Sequence, residues 1–324
     1  MRLFVVELRR FWSRRTAILI AGVGLLFLLA SLATLASSSQ TPSPQEIETA
    51  RADAQEERDW VTQERELCFK YWEKAPDTPP EQADYPKDCA GNHDPTRIKD
   101  THYLSGVVIF ADEAEGQLYF LGMVLAVCGL LIAGSYIGAE WTSGGMTNLL
   151  LWTPRRIPVY LAKLASALTS MFVLSVGLGV LHIGALLAIA TSVGDVGQIS
   201  STWWSDTTML SLRVLFLVMI CTTVGVAMSM IGRRTVTAIG TFIGYLILVE
   251  FGVRFILAIV DIDIELWLMS TYIIGWTVGG TELWPVGAGY PDYLSMWTSG
   301  SILLAVTGVL TAIGMTLFQQ RDAN

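Results

Sequence analysis

Tyr136-Ile137-Gly138-Ala139-Glu140-Trp141-Thr142-Ser143-Gly144-Gly145-Met146-Thr147-Asn148-Leu149-Leu150-Leu151-Trp152-Thr153-Pro154-Arg155-Arg156 leaves one long apolar run and ends on two arginines just before the next run begins. So short and basic-ended an interruption reads as a tight connection between two helices that each cross a bilayer. Composition agrees. The 324 residues are 52% hydrophobic and only 15% charged, with mean hydropathy +0.49, more apolar surface than one soluble core of that size readily hides.

Working outward, the apolar runs predict an all-α polytopic membrane protein with six transmembrane helices, at 16–36, 118–136, 159–190, 210–231, 236–260 and 300–318. Only helices and closed barrels satisfy backbone polar groups in lipid, and about 20 apolar residues span it as a helix. Arg2, Arg9, Arg10, Arg14 and Arg15 precede the first span. Arg155, Arg156 and Lys163 lie between the second and third, Arg233 and Arg234 between the fourth and fifth, and Arg321 after the sixth. The remaining connections carry Asp195, Asp206, Asp261, Asp263, Glu265, Glu282 and Asp292. Basic flanks mark the cytoplasmic side, so both termini are expected inside a plasma membrane and residues 37–117 outside it. A cleaved signal peptide is disfavoured by the length of the first apolar run.

Residues 1–15 place Leu3, Phe4, Leu8, Phe11 and Trp12 among arginines at helical spacing, as in an amphipathic elbow helix lying in the headgroups. Residues 37–117 form an acidic external cap. From Gln40 to Gly106 there are 15 Asp or Glu against 8 Lys or Arg, nearly the whole formal net charge of −8. Composition changes at Thr41-Pro42-Ser43-Pro44, and the run from Glu46 to Lys74 lacks Gly and Pro. Its apolar residues Ile47, Ala50, Ala54, Val61, Cys68 and Tyr71 recur at helical spacing, with Glu66 and Lys70 as an i,i+4 pair. Pro76, Pro79, Pro80 and Pro86 then imply irregular chain. Cys68 and Cys89 are the two cysteines of this external region, where an oxidising exterior allows a disulfide. Cys128 and Cys221 fall inside spans and read as small apolar residues.

Catalytic signatures are missing from the sequence: there is no P-loop, HExxH, GxSxG or dinucleotide fingerprint, and no Cys/His spacing for a metal. The chain is read as no enzyme, with neither cofactor nor nucleic acid bound. His182 in the third span is expected to face the bundle interior, either on a backbone carbonyl or on substrate. Glu250 and Arg254 share a face of the fifth span at i,i+4, as a gate element or an interfacial ion pair. Gly240 and Gly244 make a small-xxx-small pair suited to a dimer seam or to packing within the chain. Residues 261–299, too broken to cross, read as an external re-entrant or interfacial segment, with Trp267, Trp276, Trp284 and Trp297 suited to the headgroup belt.

The connection at 137–158 carries a resemblance. Gly138 and Glu140, then Gly144-Gly145, Leu149-Leu150, Pro154-Arg155-Arg156 and Lys163 resemble the first cytoplasmic loop of type 2 ABC transporter permeases, the six-span exporter family. Gly145-Met146 stands where many members show Gly-Thr, and the insert at 40–106 departs from the minimal pattern. The resemblance implies a cytoplasmic coupling helix that docks on a separate ATPase subunit, through Gly138, Glu140, Trp141, Thr142, Gly145, Leu149, Arg155 and Arg156. It also implies ATP and Mg on that partner, not here, and a second permease copy or a related permease beside it in the lipid. The competing class is a membrane-anchored sensor or assembly protein whose external cap binds a partner. A secondary transporter is disfavoured, because no inverted repeat is seen.

Overall fold

The computed structural model describes residues 2–74, 76, 85, 87–260, 262, 264–283 and 292–320. Pro79, Pro80, Pro86, Asp261, Asp263, Trp284 and Arg321 therefore lie outside the described residues. In chain order the helices are α1 (Arg2–Trp12), α2 (Arg15–Ser38), α3 (Pro44–Lys74), a single turn α4 (Cys89–Asn92), α5 (Phe110–Thr142), α6 (Gly145–Trp152), α7 (Arg156–Val193) and α8 (Ser201–Gly232). They continue as α9 (Thr235–Tyr245), a π-helical segment Leu246–Val253, α10 (Arg254–Ile259), α11 (Met269–Val278) and α12 (Met296–Gln320). One antiparallel hairpin, β1 (Gly280–Leu283) with β2 (Asp292–Ser295), pairs Gly280 with Ser295 and Leu283 with Asp292.

Among the described residues six helices are long and apolar enough to cross a membrane: Arg15–Ser38, Phe110–Thr142, Arg156–Val193, Ser201–Gly232, Thr235–Leu257 and Met296–Gln320. The expected all-α polytopic fold is the observed one. Except in the fifth span, which ends at Leu257, the helices overrun the expected windows, because a helix continues wherever caps and packing support it. α5 starts at Phe110, with Asp112 and Glu113 in its first turn where the helix dipole favours carboxylates, and ends at Thr142. Gly138, Glu140, Trp141 and Thr142 consequently belong to the end of α5, and the connection shrinks to Ser143, Gly144, the short α6 and residues 153–155.

The chain divides into two compact units: Met1–Leu32 with Ala114–Ala185 and Ser200–Asn324, and Ala33–Glu113 with Leu186–Ile199. In the second, α3 buries the stripe read from its sequence, with Ala50, Ala54 and Cys68 shielded and Ile47, Val61 and Tyr71 half-buried. Ser43 and Glu46 form a reciprocal capping box: Ser43 N–H donates to Glu46 Oε2 at 2.7 Å and Glu46 N–H to Ser43 Oγ at 3.3 Å. A Cys68–Cys89 disulfide closes the chain back onto α3, and Arg58 donates to Ile98 O at 3.0 Å while pairing with Asp100. Asp195 N donates to Val108 O and Phe110 N to Asp195 O, each at 2.9 Å, a short parallel bridge that also draws in Ser39 Oγ on Val193 O at 2.7 Å. Glu66 and Lys70 approach to 3.9 Å while both stay well exposed, so that pair contributes little.

In the first unit α8 and α12 pack along each other and α11 lies against both. Trp276 departs from the belt expectation: its indole Nε1 donates to Arg213 O at 2.9 Å and its ring lies 4.4 Å from Phe216. Trp267 and Trp297 stay exposed.

The capping box holds the carboxyl of Glu46 below its usual value, chiefly through the Ser43 backbone N–H. With a lowered folded-state pKa, the box contributes above the unfolded value and is lost as pH falls through the lowered one. Ser43→Ala, which removes the hydroxyl but keeps the backbone N–H, is expected to raise the Glu46 pKa only part of the way toward the ordinary carboxylate value, as read by side-chain carboxyl NMR titration. Thiol alkylation followed by mass analysis is expected to leave Cys68 and Cys89 unlabelled until a reductant is added.

Candidate functional site

The C-terminal end of α5 gathers parts of five helices. Gly138 is required there because a Cβ would fall 2.2 Å from Thr235 N, at the start of α9. Three residues on, the Trp141 ring meets Phe318 of α12 edge-on at 6.0 Å and carries the Arg233 guanidinium 4.8 Å above its face. Arg233 ends α8 in the left-handed conformation, at φ 57°, which turns the chain sharply into α9. Arg156, at the start of α7, donates from Nη1 to Phe318 O and Gln319 O, both at 3.0 Å, capping the last carbonyls of α12.

Beneath this lies a buried ionic cluster. Lys163 of α7 is 0% exposed and its ammonium sits between two carboxylates, Glu7 of α1 at 2.7 Å and Glu140 of α5. Glu7 is also fully buried, and Glu140 is 3% exposed. Arg14 completes Glu140 at 3.0 Å and Arg10 completes Glu7 at 3.1 Å, while Tyr136 Oη donates to Glu7 Oε2. The Lys163 ammonium also stands 5.1 Å from the Tyr136 ring centre, and Ser166 lies 3.4 Å from its hydroxyl. Burying these charges is tolerable because each has an opposite partner and further hydrogen bonds.

Of the anticipated loop residues, Glu140 is thus turned inward. The backbone reverses at Gly144, whose φ of 72° suits a residue without a side chain, and α6 follows. Met146 is fully buried, and Leu149 and Leu150 pack partly against the core. The free face of α6 instead presents Leu151 and Trp152, at 78% and 84% exposure. Gly145, Thr142 and Arg155 are exposed, the Thr142 hydroxyl donating to Ala139 O at 3.1 Å. A polar groove of about 620 Å³ opens between α1 and α6, bordered by Arg10, Arg14, Ser143, Asn148 and Trp152.

Elsewhere the expectations need correction. Glu250 and Arg254 do not pair with each other: Glu250 accepts from Tyr245 Oη at 2.8 Å and from Ser270, and Arg254 pairs with Glu265 at 3.1 Å. The cause is the π-helical segment, whose wider turn removes the i,i+4 alignment of an α-helix. His182 is buried as expected, with the side chain of Gln117 as partner at 2.9 Å in place of a backbone carbonyl. Gly240 and Gly244 face open space, with no described residue within 4 Å of a Cβ at either, so they make no packing contact among the described residues. No group of three or more His, Cys, Asp or Glu capable of holding a metal occurs among the described residues.

Glu7 and Tyr136 were not singled out by sequence reasoning. The signal was present: Glu7 is the sole acid in the first fifteen residues and lies four residues from both Leu3 and Phe11, on the face that α1 buries.

A family model described as ABC-2 family transporter protein matches residues 6–323. No curated protein and no solved structure matches the chain. In such a transporter the membrane permease is the transport subunit and is not itself catalytic, and the family implies association with an ABC ATPase. Six apolar helices, and a family match over nearly the whole length, lead to one conclusion: the chain belongs to the ABC-2 family of transporter proteins and is a multi-pass membrane permease of an ABC transporter.

Proposed function

We propose that this permease is the membrane half of an ATP-driven exporter, and that α6 is its coupling helix, receiving the stroke of a separate ATPase that carries ATP and Mg. The observation that supports the reading is the ionic cluster around Lys163. It fastens α1, α5 and α7 to one another directly behind α6, so a push on α6 would tilt these helices together as a rigid body. The exposed Leu151 and Trp152 supply the apolar contact that an ATPase groove would cover. Glu140, buried behind that face, and Leu149, half-buried beside it, act as positioning residues. The loop's resemblance to exporter permeases supports outward transport.

The basic flanks place the α1, α6 and α8–α9 ends in the cytoplasm, and α3 outside. A second permease copy or a related permease completes the pathway, and the open Gly240 and Gly244 face of α9 is its candidate seam.

Leu151→Asp with Trp152→Asp is expected to abolish stoichiometric co-purification of the ATPase while leaving the thermal melting of the permease unchanged. Full retention of the ATPase by that variant would remove α6 as the docking helix. Lys163→Met leaves two buried carboxylates facing each other and is expected to cost about 3–5 kcal/mol in stability. Adding Glu7→Gln should recover part of that loss, read as a double-mutant cycle of melting temperatures. Where Lys163→Met remains folded, ATPase binding is expected to persist while ATP-driven transport falls, the signature of a broken linkage and not of lost docking.

A further inference from the structure

Between α8, α9, the π-helical segment, α11 and α12 lies a partly open apolar cavity of about 570 Å³. That volume is within the range of small-molecule sites, roughly 300–1,000 Å³. Phe242, Met228, Met269 and Leu310 typify its walls. Its one acidic wall residue is Glu250, 9% exposed.

The carboxylate is built into place. The π-helical turn brings residues five apart together, so that Tyr245 Oη donates to Glu250 Oε1 at 2.8 Å and itself accepts from Met269 N at 2.9 Å. Ser270 donates its N–H to Oε1 at 3.0 Å and its hydroxyl to Oε2 at 2.6 Å. These donors are neutral, and with the positive end of α11 they supply only partial charge. Arg254, which also lines the cavity, directs its guanidinium to Glu265 at 3.1 Å. Oε2 accepts one of these bonds where a carboxylate oxygen accepts two, and the formal charge of Glu250 lacks an ion-pair partner within 4 Å among the described residues.

We propose that this cavity binds a hydrophobic organic cation, its apolar body among the phenylalanines and methionines and its charge against Glu250. Charge complementarity selects the occupant: the nearby Arg254 is committed to Glu265, and in an apolar pocket a carboxylate hydrogen-bonded by neutral donors gains most from a further cation. Tyr245 and Phe242 offer ring faces that also favour one. Naming the ligand a transport substrate rests on the permease reading above, whereas the binding site itself does not.

The test uses the full chain in detergent micelles without any ATPase, with tetraphenylphosphonium and tetraphenylborate as probes of matched shape and opposite charge. Saturable binding of the cation is expected, at least about tenfold tighter than the anion and weakened about tenfold or more by Glu250→Gln. Leu310→Trp, which narrows the cavity from α12 without touching the carboxylate, is expected to weaken both probes. It keeps the proposal testable should Glu250→Gln fail to fold. Equal binding of both ions, cation binding indifferent to Glu250→Gln or to Leu310→Trp, or no saturable binding would each overturn the proposal. Cation binding by a chain that recruits no ATPase would uphold the site and overturn the coupling reading alone.

Discussion

The fully buried ammonium of Lys163, clasped by Glu7 and Glu140, is the constraint around which the inner end of the protein is arranged. An unpaired ammonium in so apolar a setting would be prohibitive, and either carboxylate alone would leave the other uncompensated. The requirement fixes α1, α5 and α7 in rotation and in register at once. Arg10, Arg14 and Tyr136 add hydrogen bonds, so that every carboxylate oxygen of the cluster has a partner and the cluster is not merely neutral. Gly138 against Thr235, Trp141 against Phe318, and Arg156 on the last carbonyls of α12 extend this order to the neighbouring helix ends.

The fifth span contrasts with that joint. It exposes Val236, Ile243, Ile247, Leu248, Phe251 and Phe255, and changes from α- to π-helical winding part-way along. Its firm attachment is polar and local: Glu250 reaches across to Tyr245 and to the start of α11. A rigid inner joint beside a sparsely packed wall is a division of labour suited to a permease, since one part must transmit a displacement and another must yield to it. The cavity lies against the yielding part.

Much of this was legible in the sequence. The apolar runs specified six crossing helices because bilayer thickness dictates their length, and the stripe from Ile47 to Tyr71 specified the buried face of α3 because helical periodicity is a local property. Glu140 and Lys163 were visible as members of a loop pattern, but their roles were not. Of the residues read as docking, Glu140 is buried and Leu149 half-buried while Thr142, Gly145 and Arg155 stay exposed, and Leu151 and Trp152 stand out on the surface beside them. A pattern identifies a helix face only when the partner surface is known, and here that surface comes from α1, more than a hundred residues away.

Length, hydropathy and the distribution of arginines and carboxylates are sums over neighbouring residues, so the sequence by itself determined the membrane class, the number of spans and the acidic external-type segment. Pairings between distant residues are not such sums. That Glu7 meets Lys163, that His182 finds Gln117 and that Glu250 turns from Arg254 to Ser270 depend on how helices rotate about their axes when packed. Only the tertiary structure decided these, because the cost of burying each polar group is settled by whichever partner the packed arrangement brings within hydrogen-bonding distance.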